Sequence, residues 1–582
     1  MPSATSTHTP PVISDRCVDA ARPLKVICIG AGISGILAAI NLPQQVQKLD
    51  LTIYDKNEEL GGTWFENKYP GCACDIPSHC YQLSFEANPS WSSFYAKAPE
   101  ILEYWKKLAD KYGCRKYMKF GYKAVEARWD EKAAKWRVRL QHMTTGEVIE
   151  DSADALISAL GALNEWRWPS IEGLHDFKGK LLHSAAWDQG FDYKSKKVAV
   201  IGAGSSGIQI VPSLQPDVEH LDHYVRGRTW IAGTFAREEL DKRAGDAGNF
   251  DFTEEEKQNW AKDPVLYLAF RKKIEAELQG GHVVTMRGSD AQKFAREEFT
   301  QTMRKRLSKK PQVADHLLPN FPPLCKRLTP GPGYLEALTA ENVDVIPTQI
   351  SHVTSTGITT TDGIHRPVDA IVCATGFDTS FQSRFPIYGV NGISLKEVWR
   401  DCPSSYLGMT VDGFPNHFMS LGPNSGLGTG NLLMILERQS TYFGACLAKM
   451  QTQNISAMTP KSTAVQKFTK FCDEYFKGTV FSEECSSWYK GGKKTGRISA
   501  LWPGSSLHAI QVLENPRWED FDYDYVDGNE FGWFGNGWSH RDHGDDMART
   551  YYLDGQAMLH EPLEKTKMVA NGHFNGNKIF DE

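Results

Sequence analysis

Two copies of one short pattern constrain the fold of this chain most strongly. Each copy has a run of apolar residues typical of a buried strand, a glycine turn of the form GxGxxG, and an apolar helix: LKVICIGAGISGILAAI and KKVAVIGAGSSGIQI. The turn residues are Gly30, Gly32, Ser34 and Gly35 in the first copy and Gly202, Gly204, Ser205, Ser206 and Gly207 in the second. Such a turn leaves backbone N–H groups and the positive end of a helix dipole facing a pyrophosphate. The pattern therefore predicts an α/β fold with two Rossmann-like dinucleotide-binding domains.

The residue that follows each turn by about twenty positions distinguishes the two sites. In the first copy the strand LTIYD ends in Asp55, which suits the hydroxyls of an unmodified ribose and would repel a 2′-phosphate. In the second copy HYVRGRTW places Arg226 there, and a guanidinium forms charge-assisted hydrogen bonds with a phosphate. We therefore expect FAD at the first site and NADPH at the second. Arg228 is either a second phosphate contact or a solvated surface charge.

The organisation of the chain follows from the two copies. Each is followed by a matching apolar strand, DALISALG at 154–161 and DAIVCATG at 369–376, whereas Leu266, Phe270 and Ile274 recur at helical spacing between them. The tail is rich in glycine and aromatic residues, as in FGWFGNGW at 531–538. We expect a flexible N-terminal tail (1–22), an FAD-binding domain (23–168 and 371–582, with the aromatic-rich tail), an NADPH-binding domain (169–230 and 325–370) and a helical insertion (231–324).

Charge and cysteine usage exclude several functional classes. Lys and Arg number 65 against 71 Asp and Glu, so the formal net charge is −6 and does not favour nucleic acid as a partner. No apolar run is long enough to span a bilayer. The 12 cysteines are scattered without a CxxC pair, which favours mostly buried, reduced thiols and a cytoplasmic location. The run SHRDHGDD at 539–546 lies in the Gly-rich tail, and we expect no metal site there.

Two dinucleotides in one chain indicate a flavin that a nicotinamide reduces, after which the electrons need an acceptor. One candidate acceptor is a redox-active disulfide, but Cys72 and Cys74 form a CxC pair, which is narrower than the spacing in such reductases. The other candidate is O2, and the sequence favours it.

The segment FKGKLLHSAAWD at 177–188 resembles the fingerprint of type I Baeyer–Villiger monooxygenases, FxGxxxHxxxW followed by Pro or Asp. Related flavin-containing and N-hydroxylating monooxygenases typically have Tyr or Phe at the position of the tryptophan. A further resemblance covers GGTWFENKYPGCACDIPSHCYQLSF at 61–85, and the similarity extends from about residue 24 to residue 502. The fingerprint residues are Phe177, Gly179, His183, Trp187 and Asp188.

This resemblance implies that the protein converts a small-molecule ketone into an ester or lactone with NADPH and O2, through a flavin peroxide. It also implies residue roles. Arg327 matches the active-site arginine, Asp75 matches the acid that positions it beside the flavin, and Lys326 matches a contact to the NADPH 2′-phosphate. The other matches are the flavin-contacting positions Thr63, Trp64 and Tyr81 and the mobile-loop residue Trp488.

Two segments depart from the family pattern. Gly227 replaces the threonine that often follows the arginine of the 2′-phosphate site, so one hydroxyl contact is missing. The loop after the Trp-Tyr pair continues as Gly-Lys-Lys-Thr at 492–495, where the family commonly has Asn, Val or Ile, Pro and Gly.

The chemistry of the reaction also favours Arg327. A peroxide anion that adds to a ketone carbonyl leaves a developing oxyanion, and a permanently charged guanidinium stabilises it without protonating the peroxide. Because that attack needs no general base, we interpret His183 as a hinge or packing residue rather than a proton carrier, and Trp187 as an anchor for the same linker. The alternative to a catalytic role for Arg327 is a purely structural ion pair. The alternative to a positioning role for Asp75 is a turn or helix cap.

Two other functions remain open from the sequence. One is a sulfide or amine oxygenase on the same scaffold, and the other is a non-catalytic NADPH-binding redox sensor. Such a sensor would keep both glycine turns but would not need Arg327 or Asp75, whose presence argues against it. The oligomeric state and the identity of the ketone are not predicted.

Overall fold

The computed structural model describes residues 13–231, 237–244 and 248–553. These residues form two compact units. The larger consists of Pro23–Gln451 and Ile455–Asp524, and the smaller is drawn from residues 13–22, 452–454 and 525–553.

The strands are short, and most belong to two five-stranded sheets. They are β1 Leu24–Ile29, β2 Leu49–Asp55, β3 Met118–Phe120, β4 Tyr122–Asp130, β5 Lys135–His142, β6 Val148–Ala153, β7 Ala155–Ser158, β8 Lys180–His183, β9 Lys197–Ile201, β10 His220–Tyr224, β11 Val343–Ile346, β12 Ile350–Val353, β13 Gly357–Thr360, β14 His365–Pro367, β15 Ala370–Cys373, β16 Ile387–Tyr388, β17 His417–Met419, β18 Ile455–Pro460 and β19 Phe521–Tyr525.

The helices flank the sheets or form the insertion. They are α1 Ile33–Gln45, α2 Thr63–Glu66, α3 Ala98–Lys111, α4 Ser205–Leu214, α5 Arg237–Arg243, α6 Glu254–Lys262, α7 Pro264–Gly280, α8 Asp290–Arg306, α9 Pro311–Leu317, α10 Tyr334–Leu338, α11 Leu395–Val398, α12 Leu432–Thr452, α13 Ser462–Phe476, α14 Ser506–Val512 and α15 Asp546–Arg549.

The two five-stranded sheets are parallel and have corresponding strand orders. The first runs β17-β7-β1-β2-β3 and the second β11-β10-β9-β15-β8. In each sheet the strand before the glycine turn is central, with its nearest parallel partners on both sides. Because both faces of such a sheet are covered, its strands are apolar throughout, and β1 has the burial pattern of a core strand. The predicted fold class, two Rossmann-like domains with a helical insertion, is confirmed.

Contacts within the two glycine turns explain why glycine occupies them. A Cβ on Gly30 would lie 2.4 Å from the Ala159 carbonyl oxygen, and one on Gly202 would lie 2.5 Å from that of Ala374. Both glycines also have positive φ, of 114° and 110°. These positions exclude any side chain, because strand, turn and neighbouring strand approach one another closely.

The helical insertion contains α5 to α9. Ser289 caps α8 by accepting a hydrogen bond from the Gln292 N–H. Ile274 on α7 and Met303 on α8 are fully buried, whereas Leu266 is half exposed, so only part of the apolar spacing identified in the sequence faces the core.

Three smaller sheets also occur. They are the antiparallel sheet β12-β13-β14, the antiparallel ribbon β4-β5-β6 with β16 added in parallel to β4, and the two-stranded sheet β18-β19. The β4–β6 ribbon supplies Trp136, Val138 and Leu140 to a core shared with β1 and β2. Among the described helices, none has a long enough apolar stretch to cross a bilayer.

In the smaller unit the two ends of the described chain are hydrogen-bonded to each other. The Val18 N–H donates to the Trp538 carbonyl at 2.8 Å, and the Asn536 N–H donates to the Arg16 carbonyl at 2.8 Å. We expected residues 1–22 to be a flexible tail. Residues 13–22 of it have defined partners in the aromatic-rich segment, and residues 1–12 lie outside the described part of the chain. The domain boundaries drawn from the sequence remain predictions.

We expect Gly207→Ala to destabilise the protein. A Cβ there would lie 2.0 Å from the Gly202 carbonyl oxygen, a rigid backbone atom that cannot move aside cheaply. The free energy of unfolding should fall by about 2 kcal/mol or more, seen as a lower Tm. Gly280→Ala is the matched control, because Gly280 ends α7 and a Cβ there would meet no heavy atom within 4 Å. Equal Tm values for the two variants would contradict this reading of the turn.

Candidate active site

A cavity of about 460 Å³ opens at the carboxyl end of the first parallel sheet. It is lined by backbone and side chains from both glycine turns and from segments far apart in the sequence. The predicted site residues at this cavity are Gly30, Gly32, Ser34, Asp55, Thr63, Trp64, Asp75, Tyr81, Ser205, Ser206, Arg327 and Trp488. The structure thus brings most of the predicted site together. Gly35, Gly202 and Gly207 shape the turns behind it, and Gly204 begins α4.

Arg327 and Asp75 form a two-point ion pair in this cavity. The Arg327 Nη2 donates to Asp75 Oδ1 at 2.6 Å, and Nε donates to Oδ2 at 3.0 Å. The pair fixes the plane of the guanidinium, because two parallel bonds leave it little freedom to rotate. Asp75 also raises the pKa of Arg327, so the guanidinium stays charged at every accessible pH. Its side chain remains 38% exposed, which leaves donors available to a ligand.

A pair of cations lies at the end of the second sheet. Arg226 follows β10 and is exposed, and burial together with the charge of Arg226 lowers the pKa of Lys326. The Lys326 ammonium donates to the Arg228 carbonyl at 3.2 Å and lies 5.0 Å from the Phe321 ring centroid. Two neighbouring cations repel each other, so an anion bound between them would be stabilised by both. The Arg228 guanidinium points elsewhere, donating to the Leu318 carbonyl at 2.8 Å.

The carboxylate of Asp55 is hydrogen-bonded to the backbone of the first glycine turn. Its Oδ2 accepts from the Ala31 N–H at 2.7 Å and its Oδ1 from the Asn57 N–H at 2.8 Å. Burial raises the pKa of Asp55, while these two backbone hydrogen bonds oppose the rise. A carboxylate held in this way, at the cavity wall, can accept further hydrogen bonds through its remaining lone pairs.

Aromatic side chains form one wall of the cavity. The Trp64 indole N–H donates to the Tyr81 hydroxyl at 3.2 Å, and the two rings meet edge to face at 5.5 Å. Trp64 follows Gly62 at the start of α2, where Gly62 has a positive φ of 53° and approaches Gly32. The short helix α2 is thus placed against the first turn, and Thr63 is exposed beside it.

The fingerprint segment lies at the edge of the second sheet, away from the cavity lining. A Cβ on Gly179 would lie 2.4 Å from the Asp369 carbonyl oxygen and 2.5 Å from the Phe177 ring, which explains the glycine. Trp187 is 9% exposed, and Asp188 forms an ion pair with Lys180. Within the segment Asp188 is thus held next to β8, and Gly179 packs against the residue before β15.

His183 is buried at the end of β8 and stacks on Trp166 with ring centroids 4.4 Å apart. One ring nitrogen lies 3.3 Å from the Thr375 hydroxyl, and the Ala185 N–H donates to the other at 3.1 Å. Burial lowers the pKa of His183 to about 4, so the ring is neutral at pH 7. These contacts support the interpretation as a packing or hinge residue.

Two features of the site were not predicted. The Gln209 side chain on α4 donates to the Ala73 carbonyl at 2.9 Å and accepts from the Tyr69 hydroxyl at 2.9 Å, which joins α4 to the Asp75 segment. Its position one helical turn after Ser205 is the signal that could have identified it. The second feature is a disulfide between Cys325 and Cys485, whereas the expectation of reduced thiols agrees with the ten other cysteines.

Both glycine turns have room for a phosphate group. A Cβ on Gly32 would meet only Gly62, at 3.5 Å and beyond, and one on Gly204 would meet no heavy atom within 4 Å. In the described chain no side chain caps α1 or α4, so the first N–H groups of both helices are available to a ligand. Open space in front of uncapped helix N-termini fits the pyrophosphates of two dinucleotides.

Comparison with known proteins agrees with this geometry. Residues 28–98 match the family model of the NAD(P)-binding Rossmann-like domain. The FAD-binding monooxygenase tazF of Aspergillus terreus is 41% identical over 522 residues, which cover 89% of this chain and 92% of that protein. A Baeyer–Villiger monooxygenase of Pseudomonas aeruginosa is 34% identical over 487 residues, covering 83% and 88%.

The chain belongs to the Baeyer–Villiger family of FAD-dependent monooxygenases. Solved structures of the same family are similar to it. The protein OTEMO, in a complex with FAD and NADP, has a TM-score of 0.74 at 26% identity, covering 87% of this chain and 100% of that one. Cyclohexanone monooxygenase from Rhodococcus sp. Phi1, bound to NADP+, has a TM-score of 0.74 at 28% identity with the same coverage. The predicted enzyme class, an NADPH-dependent flavin monooxygenase, and its cofactors FAD and NADPH are confirmed.

This monooxygenase should prefer NADPH through the Arg226–Lys326 pair. We expect Arg226→Ala to raise the KM for NADPH about 10- to 100-fold, the loss of one charge-assisted contact, and to leave the KM for NADH nearly unchanged. Steady-state kinetics with both nucleotides provide the measurement. Lys197→Ala is a control, because Lys197 is a surface cation of the same sheet paired with Glu219. Equal kinetics with NADPH and NADH in the parent enzyme would contradict the assignment.

Proposed function

We propose that this protein oxidises an apolar ketone to an ester or lactone with NADPH and O2. The observation that carries the proposal is the Arg327–Asp75 ion pair, placed in a cavity that both glycine turns also line. Bound FAD supplies the chemistry: reduced at the expense of NADPH, it activates O2 to the oxidation level of a peroxide. The residues of this chain bind the cofactors, orient the ketone and stabilise charge.

Arg327 is the proposed catalytic residue. Nucleophilic addition to a ketone places negative charge on the carbonyl oxygen, and a guanidinium presents two or more N–H donors to that oxygen without giving up a proton. Asp75 is a positioning residue, since its two hydrogen bonds hold the guanidinium in one plane. A group preorganised in this way stabilises developing charge without reorganisation during the reaction.

Part of the cavity lining is apolar. It includes Ile76, Leu427, Leu433, Leu436 and the ring of Trp488. An apolar wall favours a hydrophobic substrate and leaves the carbonyl as the group recognised by a polar contact. Oxidation of a ketone and a cytoplasmic location remain predictions, as do the domain boundaries and the roles assigned to individual residues.

The same ion pair favours a ketone over a sulfide or amine. Oxygen transfer to sulfur or nitrogen does not develop an oxyanion on the substrate, so a fixed guanidinium would gain nothing there. A non-catalytic NADPH sensor would not need Arg327 and Asp75 to line a cavity with the flavin turn. The sulfide or amine oxygenase is therefore the alternative that the experiments must exclude.

The test of function is a substrate panel. The purified protein should be yellow, its flavin should bleach with NADPH under anaerobic conditions, and NADPH consumption in air should rise with a ketone. Cyclic, linear and aryl ketones, with sulfides alongside, should be compared by product identification. Ester or lactone formation supports the proposal, whereas sulfoxide formation without any ester or lactone refutes it.

Replacement of Arg327 separates its role from cofactor binding. We expect Arg327→Ala to lower kcat for ester formation by at least about 100-fold, the typical effect of losing an oxyanion donor, while FAD stays bound. Arg327→Lys should recover only part of the activity, because an ammonium cannot form the two-point pair with Asp75. Flavin absorbance and product analysis check both statements. Ketone oxidation at the parent rate by Arg327→Ala would contradict the mechanism.

Trp488 is expected to exclude water from the cavity, which it lines together with Arg327. Entry of water and protons would release the activated oxygen as hydrogen peroxide before it reacts with the ketone, so Trp488→Ala should raise the hydrogen peroxide released per NADPH consumed at saturating ketone. Trp538→Ala is a matched control, since Trp538 is 53% exposed in the smaller unit. Unchanged coupling in Trp488→Ala would show that another segment excludes the water.

A further inference from the structure

The disulfide joins the two segments that carry Arg327 and Trp488. Cys325 and Cys485 are separated by 160 residues in sequence, and both are buried, at 0% and 3% exposure. Arg327 follows Cys325 by two positions, and Trp488 follows Cys485 by three. Both side chains line the same cavity. The disulfide is therefore a short covalent path between two groups that are otherwise distant along the chain.

The segment after Cys485 has mostly internal hydrogen bonds. The Ser486 hydroxyl donates to the Gly492 carbonyl at 2.6 Å, and the Gly492 N–H donates to the Ser487 carbonyl at 2.9 Å. Residues 491–496 are exposed, and Gly491 and Gly496 have positive φ with open space where a Cβ would lie. These bonds define the shape of the segment but do not attach it to the rest of the protein.

Anchors to the body of the protein lie on both sides of Trp488. On its C-terminal side Tyr489 is fully buried, and its carbonyl accepts from the Ser499 N–H at 3.0 Å. On its N-terminal side Phe481 is buried, Glu483 forms an ion pair with Arg287 at 2.9 Å, and Cys485 forms the disulfide. Opening the disulfide would remove the N-terminal anchor that lies nearest to Trp488 and lengthen the unattached chain before it.

The buried side chain of Lys490 lies next to the disulfide. The Lys490 ammonium lies 3.8 Å from Cys485 Sγ and donates to the Glu483 carbonyl at 2.6 Å and to the Lys494 carbonyl at 2.9 Å. Lys490 is only 3% exposed, and within the described residues no carboxylate lies within ion-pair distance of it. An ammonium beside a sulfur stabilises the thiolate, the form of cysteine that exchanges with disulfides and reacts with peroxides.

We propose that the Cys325–Cys485 disulfide is a redox-sensitive latch that holds Trp488 in place at the cavity that Arg327 also lines, so that its reduction uncouples NADPH consumption from ketone oxidation. Cys325 and Cys485 act as positioning residues and do not touch substrate or cofactor. The coupling readout rests on the function proposed above, whereas the motion of the segment does not.

The chemistry of the latch balances with simple thiols and peroxide. A dithiol reductant opens it by two thiol–disulfide exchanges: the two cysteines gain two electrons and two protons, and the reductant becomes a cyclic disulfide. Hydrogen peroxide closes it. The Cys485 thiolate attacks one peroxide oxygen to give a sulfenic acid and hydroxide, and the Cys325 thiol then displaces water to form the disulfide. Hydrogen peroxide is the product of uncoupled turnover. The reduced enzyme therefore generates the oxidant that re-forms the Cys325–Cys485 disulfide.

The experiment uses the FAD-loaded full-length enzyme in three states: oxidised, reduced with dithiothreitol and desalted, and reoxidised with hydrogen peroxide. Thiols titrated after denaturation should number 10 in the oxidised states and 12 in the reduced state. Hydrogen peroxide released per NADPH at saturating ketone should rise several-fold on reduction and return on reoxidation.

Deuterium exchange provides a readout that does not require turnover. Peptides covering residues 486–497 should exchange faster in the reduced enzyme, whereas those of β9 should not change. Cys325→Ser and Cys485→Ser should behave as the reduced enzyme and should not respond to dithiothreitol. Cys114→Ser is the matched control, since Cys114 is a buried free thiol that does not line the cavity, and its coupling should equal that of the parent.

The outcomes separate the latch from the proposed function. Unchanged exchange and coupling in an enzyme that titrates 12 thiols would overturn the latch, as would 12 reactive thiols after oxidation. If the serine variants do not fold, chemical reduction of the parent decides the question in the same way. If no ketone is oxidised in any state, the proposed function fails, while deuterium exchange still decides the latch.

Discussion

The ion pair between Asp75 and Arg327 is the interaction on which the arrangement of this site depends. The two residues are 252 positions apart in sequence and belong to two separate segments of the chain. Asp75 follows the flavin-side turn through α2, and Arg327 follows the helical insertion. Their two hydrogen bonds bring the ends of these segments to one cavity, so the charge needed for the reaction is placed where both glycine turns open.

The two nucleotide-binding domains reach this cavity through repeated geometry. In each domain a Cβ added to the first glycine would collide with a carbonyl of the neighbouring strand, and one added to the last glycine would collide with the turn itself, for example Gly35 with the Gly30 carbonyl oxygen at 2.1 Å. The difference between the domains lies after the second strand, where one has the buried Asp55 and the other the exposed Arg226. The same backbone design thus serves two different nucleotides.

Local and long-range features of the site differ in how well the sequence predicts them. The glycine turns and Asp55 were predictable from the sequence, because a few adjacent residues determine both the close approach of the backbone and the length of the strand. Arg327, Asp75 and Trp488 could be selected only through resemblance to a family, since nothing in their local sequence shows that they share a cavity. The contacts of Gln209 and the Cys325–Cys485 disulfide depend on tertiary structure, and cysteine spacing cannot specify a pair 160 residues apart. The association of residues 13–22 with the aromatic tail is equally non-local, which is why the sequence indicated only a flexible end.

The central claim is that one atom of O2 is inserted next to a ketone carbonyl at the expense of one NADPH. The most direct measurement is product analysis after turnover in ¹⁸O2, with NADPH and O2 consumption followed in the same reaction. The account predicts one labelled oxygen per product, in the bridging position of the ester or lactone, and equal amounts of NADPH, O2 and product. Label that is absent from the ester, or O2 recovered entirely as hydrogen peroxide or as a sulfoxide oxygen, would contradict it.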